Sequence, residues 1–141
     1  MDTTDQQLLA LLQANARTST TDLAKQLGLS RSTVKDRIAR LERRGIIKGY
    51  GLKLSDTYSE GQITAHVMID VDPKKAAGVV RQLKDINAIK VLHAVNGNHD
   101  LLAVTTTDST QALDRALDAI GAIDGIERTL SSIVLSTKFE R

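Results

Sequence analysis

The side chains best equipped for chemistry in this 141-residue chain are basic and hydroxylic. Within residues 30–41, Arg31, Ser32, Thr33, Lys35, Arg37 and Arg40 fall outside an apolar stripe of Val34, Ile38 and Leu41 at i, i+4 and i+7. A helix that is apolar on one side and basic on the other offers guanidinium and ammonium donors to an anionic polymer. On its first turns Arg31, Ser32, Thr33 and Lys35 suit the base edges of a duplex. Arg37 and Arg40 lie further along, with Arg43 and Arg44 near the end, and suit phosphates. Thr20 and Thr21, at the start of a preceding helix, suit donation to a phosphate as well.

Two short helices and a tight turn are needed to hold those groups. Ser19 with Asp22 is a helix-start pair, and Leu23, Ala24 and Leu27 then build one apolar face. Gly28 can end that helix with positive φ, Leu29 points back to the core, and Ser30 is a good N-cap for the second helix. Helix, glycine turn and half-basic helix form a candidate DNA-reading helix-turn-helix. The plainer alternative is a helical hairpin with a solvated basic face. Ala24, Gly28 and Val34 favour the former: a small residue at a helix crossing, a turn glycine and an apolar residue facing back.

The remaining N-terminal residues fit that motif. Thr4 with Gln7 is expected to open a first helix, with Leu8, Leu11 and Leu12 as its stripe to about Asn15. Three helices are the minimum that buries a helix-turn-helix core. Gly45 stops the last of them. Residues 46–54 alternate and are punctuated by glycines, as a short hairpin, a wing or a connecting strand would be; the connecting strand is preferred. Residues 31–53 carry eight basic and two acidic side chains, although the whole chain has a net charge of only +2. Charge gathered on one motif is the footprint of a phosphate-binding surface.

Residues 1–54 are therefore read as a helix-turn-helix DNA-binding domain, and 55–62, polar and without period, as a linker. Residues 63–141 are read as a second domain of order βαββαβ. Its strands are expected at 63–71, 89–95, 101–106 and 126–137. Asp72-Pro73 opens one helix and Asp108 with Gln111 caps the other. The fold class is α+β: three helices, then a ferredoxin-like unit whose antiparallel sheet is covered by helices on one face. Strict alternation places Ile89, Val91 and Val95 on one side of the second strand and Leu92 and Ala94 on the other. Leu101 and Ala103 likewise oppose Leu102 and Val104. With both faces apolar, a second sheet is expected on the open face, most simply in a two-fold homodimer.

Several classes are disfavoured. Cysteine is absent, so thiolate metal sites and disulfides are excluded. An aromatic content of 2% argues against stacking platforms for single strands. No apolar run approaches a membrane span and the N-terminus does not open a secretory signal, so a cytoplasmic location is expected. His66, His93 and His99 are the only histidines. They show no metal spacing, and His99 and Asp100, adjacent in sequence, do not make a ready dyad. No catalytic residue, cofactor or metal is expected.

Over essentially its whole length the chain resembles the leucine-responsive regulatory protein/asparagine regulator (Lrp/AsnC) family of transcriptional regulators. The resemblance rests on Asp5-Gln6-Gln7-Leu8-Leu9 through Ser19, and on Leu23-Ala24-Lys25-Gln26-Leu27-Gly28-Leu29-Ser30. Its most specific part is Val34-Lys35-Asp36-Arg37-Ile38 with Leu41-Glu42-Arg43-Arg44-Gly45-Ile46-Ile47; Gly61 takes the place of the family's linker glycine. The resemblance implies that the βαββαβ unit binds an effector and oligomerises. It implies an effector cleft lined by Gly97, Asn98, His99 and Asp100, where His99 stands in place of the family's aromatic residue, and by Thr129, Ser131 and Ser132. Read from the residues alone, Gly97 to Asp100 is better taken as a polar hairpin with Gly97 supplying positive φ.

The expected function is a sequence-specific, double-stranded DNA-binding transcriptional regulator answering to a small effector, an amino acid. The expected assembly is a homodimer, or a tetramer or octamer built from dimers, with no membrane partner. A ligand-independent architectural DNA-binding protein is the alternative.

Overall fold

A side-chain oxygen opens each helix of the N-terminal part. The computed structural model describes residues 1–55 and 57–141 and divides into two units, Met1–Lys53 and Leu54–Arg141. In the first, α1 (Thr3–Ala14), α2 (Thr20–Leu27) and α3 (Arg31–Arg43) are capped by Asp2, Ser19 and Ser30, which accept from the backbone N–H of Asp5, Asp22 and Thr33. Ser19 and Ser30 cap as the sequence predicts. The start of α1 does not: Asp2, not Thr4, is the cap, because a carboxylate is a stronger acceptor than a hydroxyl and suits the positive helix end.

Gly28 sits at φ +67°, and the Leu29 N–H donates to the Ala24 carbonyl at 2.9 Å to close the α2–α3 turn. Leu8, Leu23, Ala24, Val34 and Leu41 form the buried core of this unit, with Ile38, Leu27 and Leu29 packed around it. Burying one such leucine is worth about 1.5–3 kcal/mol, so these side chains fix how α3 sits on α1 and α2. Residues 46–54 differ from the expected connecting strand: among the described residues they pair with no strand. The Ile46 and Ile47 N–H groups instead fold back onto the Leu41 carbonyl at 3.0 and 3.2 Å, and Leu52 and Leu54 are exposed. An alternating pattern makes a strand only where a partner supplies the ladder.

The second unit runs β1 (Ile63–Val71), a 3₁₀ turn (Pro73–Lys75), α4 (Ala76–Lys84), β2 (Ile89–Ala94), β3 (Leu101–Thr107), α5 (Thr110–Gly121) and β4 (Ile126–Ile133). The four strands lie in the order β2-β3-β1-β4, and every pair is antiparallel. This is the expected βαββαβ arrangement. Val67, Ile69, Val71, Leu101 and Ala103 from the strands meet Val79 and Leu83 of α4 and Ile120 of α5 in one core.

Three local details depart from expectation. Ser109, not Asp108, caps α5 by accepting from the Ala112 N–H. β4 ends at Ile133, not at residue 137, because its partner runs out: Ala65 pairs with Ile133 and Thr64 accepts from the Val134 N–H. The third is in β2, where Ile89 pairs with Thr105 but Val91 pairs with Val104, leaving Lys90 as an extra residue. This bulge breaks the alternation. Ile89 and Leu92 both pack on the helix-side core, while Val91, 42% exposed, turns to the open face beside Val104. On that open face Leu130, Met68 and Leu102 form one row across three strands.

Candidate nucleic-acid interface and effector segments

The starts of α2 and α3 converge. Thr20, Thr21, Ser30, Arg31, Ser32 and Lys35 line one concavity of about 680 Å³. Each helix start presents unbonded backbone N–H groups and a partial positive charge, and Arg31 and Lys35 add two full charges. Six hydroxyl, backbone and cationic contributors around one hollow suit a phosphate and the base edges next to it. Ser30 organises the rim: its Oγ accepts from the Thr33 N–H at 3.1 Å and lies 2.7 Å from Thr33 Oγ1 and 3.2 Å from Ser32 Oγ.

Of the ten residues expected at a DNA surface, Thr20, Thr21, Arg31, Ser32 and Lys35 are thus brought together, while Arg43 and Arg44, at the end of α3, do not line the hollow. Thr33 is drawn into the cap and only partly exposed. Arg37 does not line this hollow. Its Nη1 donates to both carboxylate oxygens of Asp2, at 3.0 and 2.9 Å, and to Asp5 Oδ1 at 2.9 Å. The reason is its position: Arg37 is three residues after Val34 and four before Leu41, so it borders the buried stripe and meets α1. Arg40 reaches the second Asp5 oxygen at 3.4 Å and stays 48% exposed.

The cap on the Asp5 N–H and the Arg37 hydrogen bond together hold the Asp2 carboxyl below the usual carboxylate range. The same two carboxylates push the Arg37 guanidinium further up. Asp2 and Asp5 escape a reading that searches for basic groups. Their signal is two acids three residues apart at the opening of α1, one of them on its buried side.

In the second unit the two expected effector segments flank one strand. The Asp100 N–H donates to the Ile69 carbonyl at 3.0 Å on one side of β1, while Thr129 pairs with Ile69 on the other. Asp100 Oδ2 accepts from the Val71 N–H at 2.8 Å. His99 Nδ1 lies 2.8 Å from Asp70 Oδ1; Asp70 gave no signal in the sequence, where it is one more residue of an alternating strand. Thr129 and Ser131 share the face of Ile69 and Val67, whereas Ser132, opposite His66, lies on the other face. All three are exposed. A cavity of about 310 Å³ near the start of α4 is lined by Val71, Pro73, Ala76, Val80, Asp100 and Leu101. Asp100 is the expected effector residue that reaches it; Gly97, Asn98, His99 and the β4 hydroxyls do not line it.

Among the described residues no group of three or more His, Asp or Glu side chains is placed to hold a metal ion, and no helix is long and apolar enough to cross a membrane.

Comparison with known proteins adds to this geometry. Residues 1–48 match a family described as winged helix-turn-helix DNA-binding, and residues 64–141 match one described as the Lrp/AsnC ligand binding domain. The HTH-type transcriptional regulator LrpA of Pyrococcus horikoshii is 31% identical over 136 residues, covering 96% of this chain and 96% of its own. The structure of E. coli AsnC is similar, with a TM-score of 0.86 at 26% identity over 100% of this chain and 96% of its own. A Neisseria meningitidis regulator solved in complex with L-Met shares the fold, with a TM-score of 0.86 at 23% identity over 99% of this chain and 93% of its own.

Proposed function

The chain belongs to the Lrp/AsnC family of transcriptional regulators, and from that premise we propose a sequence-specific duplex-DNA reader whose second unit answers to an amino acid. Transcriptional regulation through a helix-turn-helix and a ligand-binding domain comes with the family. The DNA contacts rest on one observation: the starts of α2 and α3 share the hollow lined by Thr20, Thr21, Ser30, Arg31, Ser32 and Lys35. Arg31, Ser32 and Lys35 reach base edges from the first turns of α3, and Thr20 and Thr21 hold the backbone. Arg40, half-exposed, adds a phosphate contact.

The amino-acid effector is supported by Asp100. One of its carboxylate oxygens is committed to the Val71 N–H; the other is available to an α-ammonium beside the apolar wall of Val71, Pro73, Ala76, Val80 and Leu101. Gly97, Asn98 and His99 with Thr129, Ser131 and Ser132 complete the cleft only when a second copy adjoins, since one protomer keeps them on either side of β1. A homodimer through the open sheet face is supported by the row of Leu130, Met68 and Leu102 with Val91 and Val104 beside it.

The test is selection of bound duplexes from a random pool, with and without a mixture of the twenty amino acids, followed by anisotropy titration. A palindromic consensus, at least tenfold weaker binding in Arg31→Ala and Lys35→Ala, and a shift with amino acid are expected. No consensus and no response to any amino acid would favour the ligand-independent architectural alternative.

A further inference from the structure

The charge of α3 is partitioned by residues of α1. Asp5, with 2% of its side chain exposed, sits between two arginines. A buried carboxylate must keep a cation, since an unpaired buried charge is strongly destabilising. Geometry decides which arginine stays. Arg37 makes three hydrogen bonds to Asp2 and Asp5 and is 22% exposed, whereas Arg40 makes one, at 3.4 Å, and is 48% exposed. Arg37 also borders the buried stripe, on the flank opposite Arg31 and Lys35, which run together four residues apart toward the hollow. Among the described residues, neither Arg31 nor Lys35 takes part in an ion pair.

We propose that Asp2 and Asp5 meter the cations that α3 offers to the DNA backbone, withholding Arg37 as a strut between α1 and α3 while Arg40 exchanges its single contact with Asp5 for a phosphate. This rests on the duplex-DNA reading above. Each phosphate contact strengthens binding to every sequence alike and steepens the salt dependence by roughly 0.9 in log K against log salt. Withholding one cation therefore lowers affinity for every duplex by the same factor and leaves the base-reading residues, and with them the ratio of specific to non-specific binding, untouched. Asp2 and Arg37 are positioning residues in this scheme, and Arg40 is a contact.

Salt-dependent anisotropy titrations of the full chain on random and selected duplexes test it, with thermal unfolding alongside. Arg40→Gln is expected to flatten the slope by roughly 0.9, so that the affinity lost between 50 and 200 mM salt shrinks about three- to fourfold. Arg37→Gln is expected to lower the thermal midpoint, because Asp5 then keeps only its 3.4 Å contact with Arg40. Asp2→Asn keeps a capping oxygen but takes the neutral four-residue cluster to +1, so affinity for random duplex should rise about twofold or more. An unchanged slope in Arg40→Gln, or an unchanged thermal midpoint in Arg37→Gln, overturns the proposal. If Arg37→Gln does not fold, Asp2→Asn decides, and unchanged affinity for random duplex overturns it. Failure of the unsubstituted protein to bind any duplex would instead overturn the reading on which the proposal rests.

Discussion

His99 Nδ1 meets Asp70 Oδ1 at 2.8 Å, tying the β2–β3 turn to the end of β1, with both side chains about a quarter exposed. The contact holds the turn that presents Asn98 and Asp100. Substituting either partner (His99→Phe or Asp70→Ala) should cost about 1 kcal/mol. The double variant should cost little more than the worse single one, a coupling that a double-mutant cycle in urea would read. Fully additive losses would show that the two side chains act separately.

Leu41 is fully buried in the N-terminal core. Leu41→Ala should destabilise that unit by roughly 2–5 kcal/mol. Native-state hydrogen exchange of the α1–α3 amides would show the loss, and duplex binding should fall with it.

Two glycines separate backbone strain from crowding. Gly28 is at φ +67° with open space where a Cβ would stand, so Gly28→Ala should cost on the order of 1 kcal/mol. Gly125 is at φ +103°, and an added Cβ would lie 2.7 Å from Lys75 Cβ and 2.9 Å from Val79 Cγ2. Gly125→Ala should therefore cost more, on the order of 2–4 kcal/mol, because the 3₁₀ turn and α4 must move. Chemical unfolding of the two variants side by side checks the order.

The Asp2 carboxyl is held below its ordinary 3.8 by the Asp5 N–H and by Arg37. A lowered folded-state value means stabilisation that is fully present above about pH 4 and lost as the pH falls through the folded-state value. Helical signal of the unsubstituted chain should decline on that acid limb. Asp2→Asn, which keeps the cap and loses the charge, should be less stable than the unsubstituted chain at neutral pH and should lack this part of the decline. Circular dichroism melts between pH 2 and 7 give the comparison.

Much of the fold was legible because short-range chemistry decides it. Ser19, Gly28 and Ser30 each act within a few residues of themselves, so the helix-turn-helix could be placed from residue types and spacing. The same holds for Pro73 at the head of its turn and for the alternation along β1. Where a competitor lay close in sequence the reading slipped: Asp2 outbids Thr4, and Ser109 replaces Asp108 as a cap. The β2 bulge at Lys90 was not legible, because register is a property of two strands, and one inserted residue moved Leu92 to the helix side.

Sequence alone determined the class of molecule: three capped helices with a basic second half, then βαββαβ, in the pattern of one regulator family. It could do so because caps, turns and periodicity are local and because the charged run is contiguous. Only the tertiary structure decided which cations face outward. Arg37 and Lys35 look alike in a list of basic residues two positions apart. A helix turns about 100° per residue, which points Lys35 into the hollow with Thr20 and Thr21 and Arg37 onto the carboxylates of Asp2 and Asp5. Those acids lie more than thirty residues earlier in the chain, a distance that no spacing rule spans and that only the packing of α3 on α1 closes.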